Sequence, residues 1–407
     1  MKILIFTHFY VPDLGPSAPL FGMLSSELVK LGHDVTVIAA VPHYPSGKVQ
    51  ESYKGKFSQR SVEEGVSVVR IRVPSLDRSN LFQRYLQMLI YQVGSSIASL
   101  KEKYDAVFVP NPGMNIWLPF FVSNTLRRIP AIFSVHDLYP HVGISLGIFK
   151  NRFVINTVAW LEKYCMKNSE YVRILTESFR PGMRELSVPD DKLVLLYDWV
   201  DTQLIQPMSH DNSFSREHDL VDKFVVMYAG NIGLSQGLEH VLSAAKLLRD
   251  QEDIQFVLIG NGAAREPLQK QVQQEGITNV RFIPFQPRER LPEVLATADI
   301  SLVPLRHGVG MTALPSKTYS IFASGRPIIA SVDAGCETAK LIEQSGGGVC
   351  IEPESPEALV EKILYLKNHT QLREQMGARG RDWAEKKHSP RSAAREIERL
   401  YQQVLAS

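Results

Sequence analysis

The sequence predicts an α/β protein made of two Rossmann-like domains, each a parallel sheet covered by helices, that face a central cleft. Short apolar runs alternate with amphipathic segments along nearly the whole chain, a pattern typical of strand–helix–strand units. The alternation occurs in two successive series, and glycine-rich loops follow several of the predicted strands. A length of 407 residues is enough for two ordinary domains.

Composition narrows the classes of function. Hydrophobic residues make up 44% of the chain and charged residues 22%, as in soluble globular proteins. The net charge of +2 does not suggest wholesale nucleic-acid binding. The three cysteines follow no ligand or pairing pattern, which predicts a reducing compartment and no zinc site.

The opening segment predicts a strand and a turn rather than a signal peptide, and no apolar run approaches the ~18 residues of a membrane-spanning helix. We therefore expect a cytoplasmic protein.

The charge is divided unevenly along the chain. Residues 1–200 carry 22 Lys and Arg against 17 Asp and Glu, a net charge of about +5, whereas residues 201–407 carry 23 against 26, about −3. A basic first half favours contact with an anionic membrane surface.

The first series opens with a buried strand over residues 2–8, a loop that contains Gly15, a helix over 21–31 and a strand over 35–40. Further strands are predicted over 66–73, 106–110, 131–135, 171–176 and 193–197, and a helix over 156–167. Because ligands bind at the carboxyl ends of parallel strands, Gly15 and His136 are expected at the edge of a site. The residues alone also allow Gly15 as a turn glycine and His136 as a loop histidine paired with Asp137.

A long helix is predicted over residues 78–103. Its buried stripe is expected to consist of Leu81, Tyr85, Leu89 and Val93. Basic and aromatic side chains lie beside this stripe: Phe82, Arg84, Tyr91 and Lys101. The helix is therefore interpreted either as a domain helix packed on the sheet or as an amphipathic helix that touches a membrane.

The polar stretch 207–223 has no apolar period and is predicted to be the domain boundary. This gives a first domain over residues 1–200 and a second over 208–388, with a C-terminal helix at about 389–407 packing back on the first. In the second series, strands are predicted over 224–229, 255–259, 280–283, 300–304, 328–330 and 348–351.

Two glycine-rich loops follow the first two strands of the second series. They contain the candidate ligand contacts Gly230, Asn231, Gly233 and Gln236, and then Gly260, Asn261 and Gly262. Backbone amides in such loops are able to cradle phosphate groups.

A third loop leads into a helix at residues 315–324. Gly308 and Gly310 allow a tight turn, and Ser316 is predicted to cap the helix. Lys317 in the first turn is unfavourable for the helix dipole unless an anion lies at the same helix end. The alternative interpretation is an ordinary loop–helix–strand unit with a surface lysine. Together the three loops predict a site for a nucleotide diphosphate, and because the chain has no Asp-x-Asp pair, no metal is needed to hold it.

Several segments resemble a known family. They are FSVHDLYP, VVMYAGNIGLSQGLEHVLSAAKLL, FVLIGNGAAREPL, VRFIPFQPRERLPEVLATADISLVPL and LPSKTYSIFASGRPIIAS. Together they resemble the retaining, nucleotide-sugar-dependent glycosyltransferases of family four, which have the GT-B fold. The resemblance is narrower to the polysaccharide and lipopolysaccharide branch that carries a Pro-Ser-Lys motif, and it covers nearly the whole chain.

The resemblance assigns roles to individual residues. It implies that His136 lies beside the donor sugar, that the Gly15 backbone lies near the donor diphosphate, and that Lys317 stabilises the leaving phosphate. It places the nucleotide base near Phe285. The remaining donor contacts that it implies are Gly310, Met311, Thr312, Ser316 and Ser320.

Two departures from the family pattern stand out. The loop that usually carries Arg and Lys has Asn231 and Gln236, and the family's Glu-x7-Glu pair falls on Thr312 and Ser320. Hydroxyl groups still hydrogen-bond sugars.

The function implied is transfer of a hexosyl or N-acetylhexosaminyl group, without cofactor or metal, from a nucleotide sugar to a lipid-linked glycan in surface polysaccharide assembly. The first domain would bind the acceptor and the second the donor, with peripheral contact at the inner face of the plasma membrane and no nucleic-acid partner. Two other functions remain open: a nucleotide-sugar epimerase of the same fold, and a non-catalytic nucleotide-sugar-binding partner.

Overall fold

The computed structural model describes residues 1–13, 15, 17–44, 47–49, 51–53, 55, 57–75, 81–145, 147–311 and 314–406. The chain divides into two compact units. Unit 1 comprises residues 1–198 and 390–407, and unit 2 comprises residues 199–389. Each is described below by itself.

The strands are short and largely buried, and in chain order they are β1 (Lys2–Thr7), β2 (Asp34–Ala40), β3 (Ser58–Glu63), β4 (Val66–Ile71), β5 (Ala106–Pro110), β6 (Ala131–Val135), β7 (Tyr171–Ile174), β8 (Leu193–Leu195), β9 (Phe224–Ala229), β10 (Ile254–Ile259), β11 (Val280–Ile283), β12 (Ile300–Pro304), β13 (Ile328–Ser331) and β14 (Gly348–Ile351).

The α-helices in chain order are α1 (Ala18–Lys30), α2 (Leu81–Ser99), α3 (Trp117–Phe120), α4 (His141–Ser145), α5 (Arg152–Asn168), α6 (Arg180–Glu185), α7 (Ser213–Glu217), α8 (Leu238–Leu247), α9 (Arg265–Glu275), α10 (Leu291–Ala296), α11 (Lys317–Ala323), α12 (Glu337–Ser345), α13 (Pro356–Asn368), α14 (Thr370–Lys387) and α15 (Pro390–Ala406). A π-helical segment, Phe121–Leu126, continues α3. Short 3₁₀ turns occur at Glu51–Tyr53, Gly113–Asn115, Glu177–Phe179, Asp190–Lys192, Leu234–Gln236, Arg288–Arg290 and Val309–Met311.

Unit 1 is built on a sheet in the order β3-β4-β2-β1-β5-β6-β7-β8. Neighbouring strands are parallel except β3 and β4, which form an antiparallel hairpin. The central strands are apolar on both faces because helices cover both sides. The C-terminal helix α15 packs against α1, and the Tyr401 hydroxyl donates a hydrogen bond to the Val107 carbonyl at 2.7 Å.

Unit 2 is built on a parallel sheet in the order β11-β10-β9-β12-β13-β14. The chain adds strands outward from β9 in one direction and then returns to add β12 on its other side. The gap between β9 and β12 is therefore a topological switch point, and ligands bind such sheets outside the carboxyl ends of the strands at this point. This topology brings the loop after β9 next to the loop after β12.

The two-domain α/β prediction is confirmed, but some elements differ. The hairpin strand β3 was not expected, and neither were the helices α3, α6 and α12. The stretch 207–223, predicted as the boundary, lies inside unit 2. Its helix α7 is anchored by the buried ring of Phe214, and the Asn212 side chain accepts hydrogen bonds from the backbone N–H groups of Phe214 and Ser215. A few well-placed contacts thus order a segment whose composition is that of a linker.

The predicted burial of α2 is wrong. Tyr85, Leu89 and Val93 are 56%, 42% and 42% exposed, and the side chains of Leu81, Phe82 and Arg84 lie outside those described. The helix is turned so that Tyr91 faces inward, where its hydroxyl donates to the carbonyls of Thr7 and Ile38, each at 2.9 Å. Among the described residues, no helix is long and apolar enough to cross a membrane.

Candidate functional site

A cavity of about 660 Å³ lies at the switch point of unit 2. Its walls come from the loops after β9, β11 and β12 and from α10 and α11. It brings together these predicted donor contacts: Gly230, Asn231, Gln236, Phe285, Ser316, Lys317 and Ser320. Among the described lining residues there are two cations, Lys317 and Arg288, and no Asp or Glu. The charge of the lining therefore favours an anionic ligand.

Lys317 occupies the first position of α11 and is half-buried. Its ammonium group lies 3.7 Å from the centroid of the Tyr228 ring, a cation–π contact. Gly230 has a φ of +148°, a backbone conformation that favours glycine, and a Cβ atom there would lie 2.9 Å from the Lys317 Nζ. Among the described residues Lys317 has no carboxylate partner. Burial lowers the pKa of the Lys317 ammonium to about 7, and an anion in the cavity would favour the charged form.

Tyr228 also holds the loop after β9. Its hydroxyl donates to the carbonyl of Asn231 at 2.6 Å, and burial raises the pKa of Tyr228, so the hydroxyl stays protonated. The exposed Asn231 side chain remains at the cavity. Gln236 has a structural contact instead, because its Oε1 accepts a hydrogen bond from the Gly233 amide at 3.0 Å. The loop is thus shaped by its own side chains.

The start of α11 differs from the expectation in one respect. Ser316 is the N-cap residue, but its side chain makes no capping hydrogen bond. It is exposed at the cavity. The apolar side of the helix is as predicted, since Tyr319, Ile321 and Phe322 are buried. The start of α11 therefore faces the cavity, and its backbone amides are not bonded to the side-chain oxygen of Ser316.

The turn before α11 is closed by a residue that we did not predict. The amides of Gly308 and Gly310 donate to the Asp333 carboxylate at 2.9–3.1 Å. Gly310 was expected to contact the donor, but its amide is occupied by this carboxylate. Met311 is exposed and does not line the cavity, and Thr312 lies outside the described residues. A polar residue at the carboxyl end of β13 was the available sequence signal for Asp333.

The glycines after β10 serve loop packing rather than the cavity. A Cβ at Gly260 would lie 1.9 Å from the Gly230 carbonyl oxygen, and one at Gly262 would lie 2.2 Å from the carbonyl oxygen of Ile232. Both glycines have positive φ, +138° and +155°. Asn261 is exposed, and its side chain accepts a hydrogen bond from Arg265. None of these three predicted contacts lines the cavity, so they act by setting the path of the loop after β9.

Substitution of Gly260 by alanine is expected to lower the free energy of unfolding by about 3 kcal/mol or more, since the new methyl meets backbone and the residue is strained. Gly276→Ala is the matched control: φ there is +61° and a Cβ would meet nothing within 4 Å. The control should lose only the conformational cost of about 1–2 kcal/mol. Urea denaturation of both variants measures the difference, and equal losses would contradict the packing role of Gly260.

Arg288 is the functional candidate that sequence reasoning missed. It lines the cavity from the 3₁₀ turn before α10, with its side chain 47% exposed and 3.4 Å from the Asp201 carboxylate. The basic segment QPRER after β11 was the available signal. Nearby, Phe285 lines the cavity with its ring 70% exposed, so the face of the ring is accessible for stacking.

In unit 1, His136 lies just after β6 in a polar network. Its Nε2 is 3.2 Å from the Ser134 hydroxyl, and its amide donates to the Asn111 side chain at 2.8 Å. The buried Arg173 donates to Ser134 at 2.8 Å and to Asp198 at 2.7 Å. Burial lowers the pKa of His136 to about 4; the charge of Asp198 opposes this shift and that of Arg173 adds to it.

His136 is therefore neutral at pH 7. Because Arg173 donates to the Ser134 oxygen, the Ser134 proton is available to be donated to the His136 Nε2. In that tautomer Nδ1 carries the proton on the side of Asp198, whose nearest oxygen is 3.9 Å away. The alternative of a histidine paired with Asp137 is not what the structure shows.

Gly15 is explained by packing. A Cβ at this position would lie 2.3 Å from the Cγ atom of the Phe9 ring, and the Gly15 amide donates to the Asp13 side chain at 3.2 Å. The predicted contact between this amide and a diphosphate would therefore have to replace the Asp13 contact.

Within the part of the chain that the structure describes, no group of three or more His, Cys, Asp or Glu side chains is placed to hold a metal ion.

Comparison with family models gives two matches. Residues 17–199 match the model described as "Glycosyl transferase 4-like domain". Residues 211–383 match the model described as "Glycosyl transferases group 1". The second match contains every residue that lines the cavity.

Individual relatives agree with these matches. The chain is 31% identical over 395 residues to the "Putative colanic acid biosynthesis glycosyl transferase WcaI" of Escherichia coli, covering 92% of this chain and 95% of that protein. Among solved structures, Anabaena HepE in complex with UDP-glucose superposes with a TM-score of 0.67 at 13% identity, covering 99% of this chain and 100% of the other. WaaG, "a glycosyltransferase involved in lipopolysaccharide biosynthesis", superposes with a TM-score of 0.63 at 16% identity, covering 97% and 99%.

Proposed function

This chain belongs to the group 1 glycosyl transferases and has the two-domain α/β fold of GT-B enzymes; from that premise we propose that it transfers a sugar from a nucleotide-diphosphate sugar with retention at the anomeric carbon. The proposal places the donor in the cavity of unit 2. The diphosphate would lie at the start of α11, in the Pro-Ser-Lys segment, and the nucleotide base would lie against Phe285.

The observation that carries the proposal is the charge of this cavity. A half-buried lysine without a carboxylate partner stands at a helix N-terminus, on a lining that includes a second cation and no acid among the described residues. Backbone N–H groups at a helix start and a lysine point charge together form an anion site. Lys317 and the exposed ring of Phe285 both line the cavity, which suits a ligand that carries both an anionic group and a flat ring.

The reaction that fits this site breaks the bond between the anomeric carbon and the leaving phosphate oxygen. A new bond forms from the same carbon to the acceptor hydroxyl oxygen, on the same face, and the hydroxyl proton passes to the leaving phosphate oxygen. Negative charge develops on the diphosphate as it leaves. We assign Lys317 and the α11 amides to stabilising this charge, and His136 of unit 1 to the neighbourhood of the sugar.

We further propose that the acceptor is a lipid-linked glycan in surface polysaccharide assembly, and that a hexosyl or N-acetylhexosaminyl group is moved. Support comes from two relatives: WcaI is named as a putative colanic acid biosynthesis glycosyl transferase, and WaaG as a glycosyltransferase involved in lipopolysaccharide biosynthesis. UDP-glucose is the ligand named for Anabaena HepE. A peripheral location at the inner face of the plasma membrane follows from such an acceptor. No metal or other cofactor is required in this proposal.

Incubation with a panel of nucleotide sugars tests the function. Slow release of nucleoside diphosphate supports a transferase, whereas an isomerised sugar would show an epimerase and tight binding without turnover would show a binding partner. Thermal shifts with uridine and guanosine diphosphates identify the base in advance. An epimerase needs acid and base groups beside the sugar, and the described lining of the cavity offers no carboxylate for this task.

Donor binding is expected to take up a proton at pH 8. The pKa of Lys317 is about 7 in the free protein, and an adjacent diphosphate raises it. At pH 8 the free amine is mostly neutral and must be protonated on binding, whereas at pH 6 it already carries its proton. The affinity for nucleoside diphosphate should therefore fall as the pH rises above 7, by up to about tenfold per unit.

Calorimetry at pH 8 in Hepes and in Tris measures this uptake from the difference in observed enthalpy. Lys317→Met should abolish it. A wild-type protein that takes up no proton, or a variant that takes up as much, would contradict the contact between Lys317 and the diphosphate.

A further inference from the structure

Helix α2 carries its apolar side chains on the outside of unit 1. Six positions, most of them spaced three or four residues apart, fall on one face of the helix. They are 37–59% exposed and form what is called here the outer row: Tyr85, Leu86, Leu89, Val93, Ile97 and Leu100, the last just beyond the helix end.

The buried side of α2 is largely polar. Its members have at most 7% exposure and include Gln87, Gln92, Ser95, Ser96 and Ser99. Each side chain is hydrogen-bonded to backbone. Gln87 donates to the Pro74 carbonyl at 2.6 Å, while Gln92 donates to the Met114 carbonyl at 3.1 Å and accepts from the Leu118 amide at 3.0 Å. The serine hydroxyls donate to carbonyls within α2.

These bonds fix the rotation of the helix about its axis. Turning α2 to bury the outer row would expose the ring of Tyr91 and break its two hydrogen bonds to the sheet. Buried polar groups are costly unless they are paired, and Gln87, Gln92 and Tyr91 reach their partners outside α2 only in this orientation. The outward apolar face is therefore specified by the sequence, in the reverse of the usual pattern for a surface helix.

We propose that the outer row of α2 is a docking surface for an anionic lipid bilayer, with the helix lying in the plane of the membrane. From Tyr85 to Leu100 the row is about 22 Å long at 1.5 Å per residue. An amphipathic helix of this kind buries its apolar face at the boundary between headgroups and acyl chains. The tyrosine at one end of the row suits the headgroup level.

Positive charge at the other end of the row favours anionic lipids. Lys101, Lys103 and Arg128 are exposed there. Of the acids in the same segment, Glu102 pairs with Arg60, and Asp105 keeps its charge while it accepts a hydrogen bond from the amide of Lys2 at 2.7 Å. The three exposed cations outnumber this one acid, and the remaining positive charge attracts anionic headgroups, at about 1 kcal/mol per residue near the surface.

The size of the row argues against a second copy of this chain as its occupant. A stable protein–protein interface uses about 20–30 residues on each side, whereas the outer row has six on one helix. The biological role of this surface rests on the proposed function, because a lipid-linked acceptor would lie at a membrane. The assay below uses neither donor nor acceptor, so the surface and the activity are tested separately.

Flotation of the full-length protein with vesicles tests the surface. At low salt, the protein should bind phosphatidylcholine vesicles that contain phosphatidylglycerol, and binding should weaken at high salt. Leu89→Gln combined with Ile97→Gln should lower the partition coefficient by about tenfold or more. Lys101→Gln combined with Lys103→Gln should lower it by about 25-fold on anionic vesicles, about fivefold per charge, and should have little effect on phosphatidylcholine alone.

Leu247→Gln in α8 of unit 2 is the matched control, because Leu247 is 56% exposed and lies outside the row. It should bind vesicles like the wild type, and all variants should keep the thermal shift with nucleoside diphosphate. The proposal is overturned if the wild-type protein does not bind anionic vesicles. It is equally overturned if the variant with Leu89→Gln and Ile97→Gln binds them as well as the control does. It is also overturned if light scattering shows a wild-type dimer that this variant dissociates, since the occupant is then a second copy. Vesicle binding without sugar transfer would contradict the proposed function but not the docking surface.

Discussion

Replacement of Lys317 by methionine is expected to lower kcat by about 10²–10³-fold and to change the KM for the acceptor little. The ammonium is half-buried against Tyr228, beside Gly230, where water screens its charge weakly. Charge grows on the leaving diphosphate as the sugar departs, so the interaction is stronger in the transition state than in the ground state. A loss of this kind appears in kcat.

The control for this variant is Lys270→Ala in α9, where the lysine is exposed and paired with Glu266. Its kcat should equal that of the wild type. Methionine keeps most of the stem of Lys317, so the packing against Tyr228 is largely retained. Thermal unfolding of the variant confirms that it is folded. Equal turnover in Lys317→Met and the wild type would remove this lysine from the mechanism.

Substitution of His136 by alanine is expected to lower transfer by about 10²–10⁴-fold, while nucleoside diphosphate binds as before. His136 belongs to unit 1, whereas all the described residues that line the cavity assigned to the nucleotide belong to unit 2. Its imidazole is neutral at pH 7, since burial lowers its pKa to about 4. The transfer rate should therefore show no step from this histidine between pH 6 and pH 8.

Steady-state kinetics with calorimetry of nucleotide binding separates the two effects. His141→Ala is the matched control, because His141 lies in the same unit, is 52% exposed and stays clear of the Arg173 network. Its activity should be unchanged. Loss of nucleotide binding in His136→Ala would show instead that His136 is a binding residue.

Much of the fold follows from the sequence for a simple reason. Strands buried on both faces read as continuous apolar runs, so β5, β6, β9 and β12 were predicted with the bounds observed. The orientation of α2 could not be predicted in the same way. Tyr85, Leu89 and Val93 form a regular stripe, and only distant partners such as the Thr7 carbonyl decide that Tyr91 faces inward.

In the candidate site, too, some residues could be predicted from the sequence and others could not. Lys317 was selected as a candidate because a cation at a helix start is locally unfavourable and needs an explanation. Arg288 and Asp333 were missed because their importance depends on which loops the topology brings together. The glycines at 260 and 310 were read as ligand contacts, but the neighbouring Gly230 carbonyl and the Asp333 carboxylate account for them. Local sequence does not show such neighbours.

The most direct test of the account is a crystal structure with bound nucleoside diphosphate. We expect an oxygen of the diphosphate at about 2.7–3.0 Å from the Lys317 Nζ and from the amides at the start of α11, and the base against Phe285. A diphosphate bound elsewhere, or an α11 whose start makes no contact with it, would contradict the assignment of this cavity to the donor.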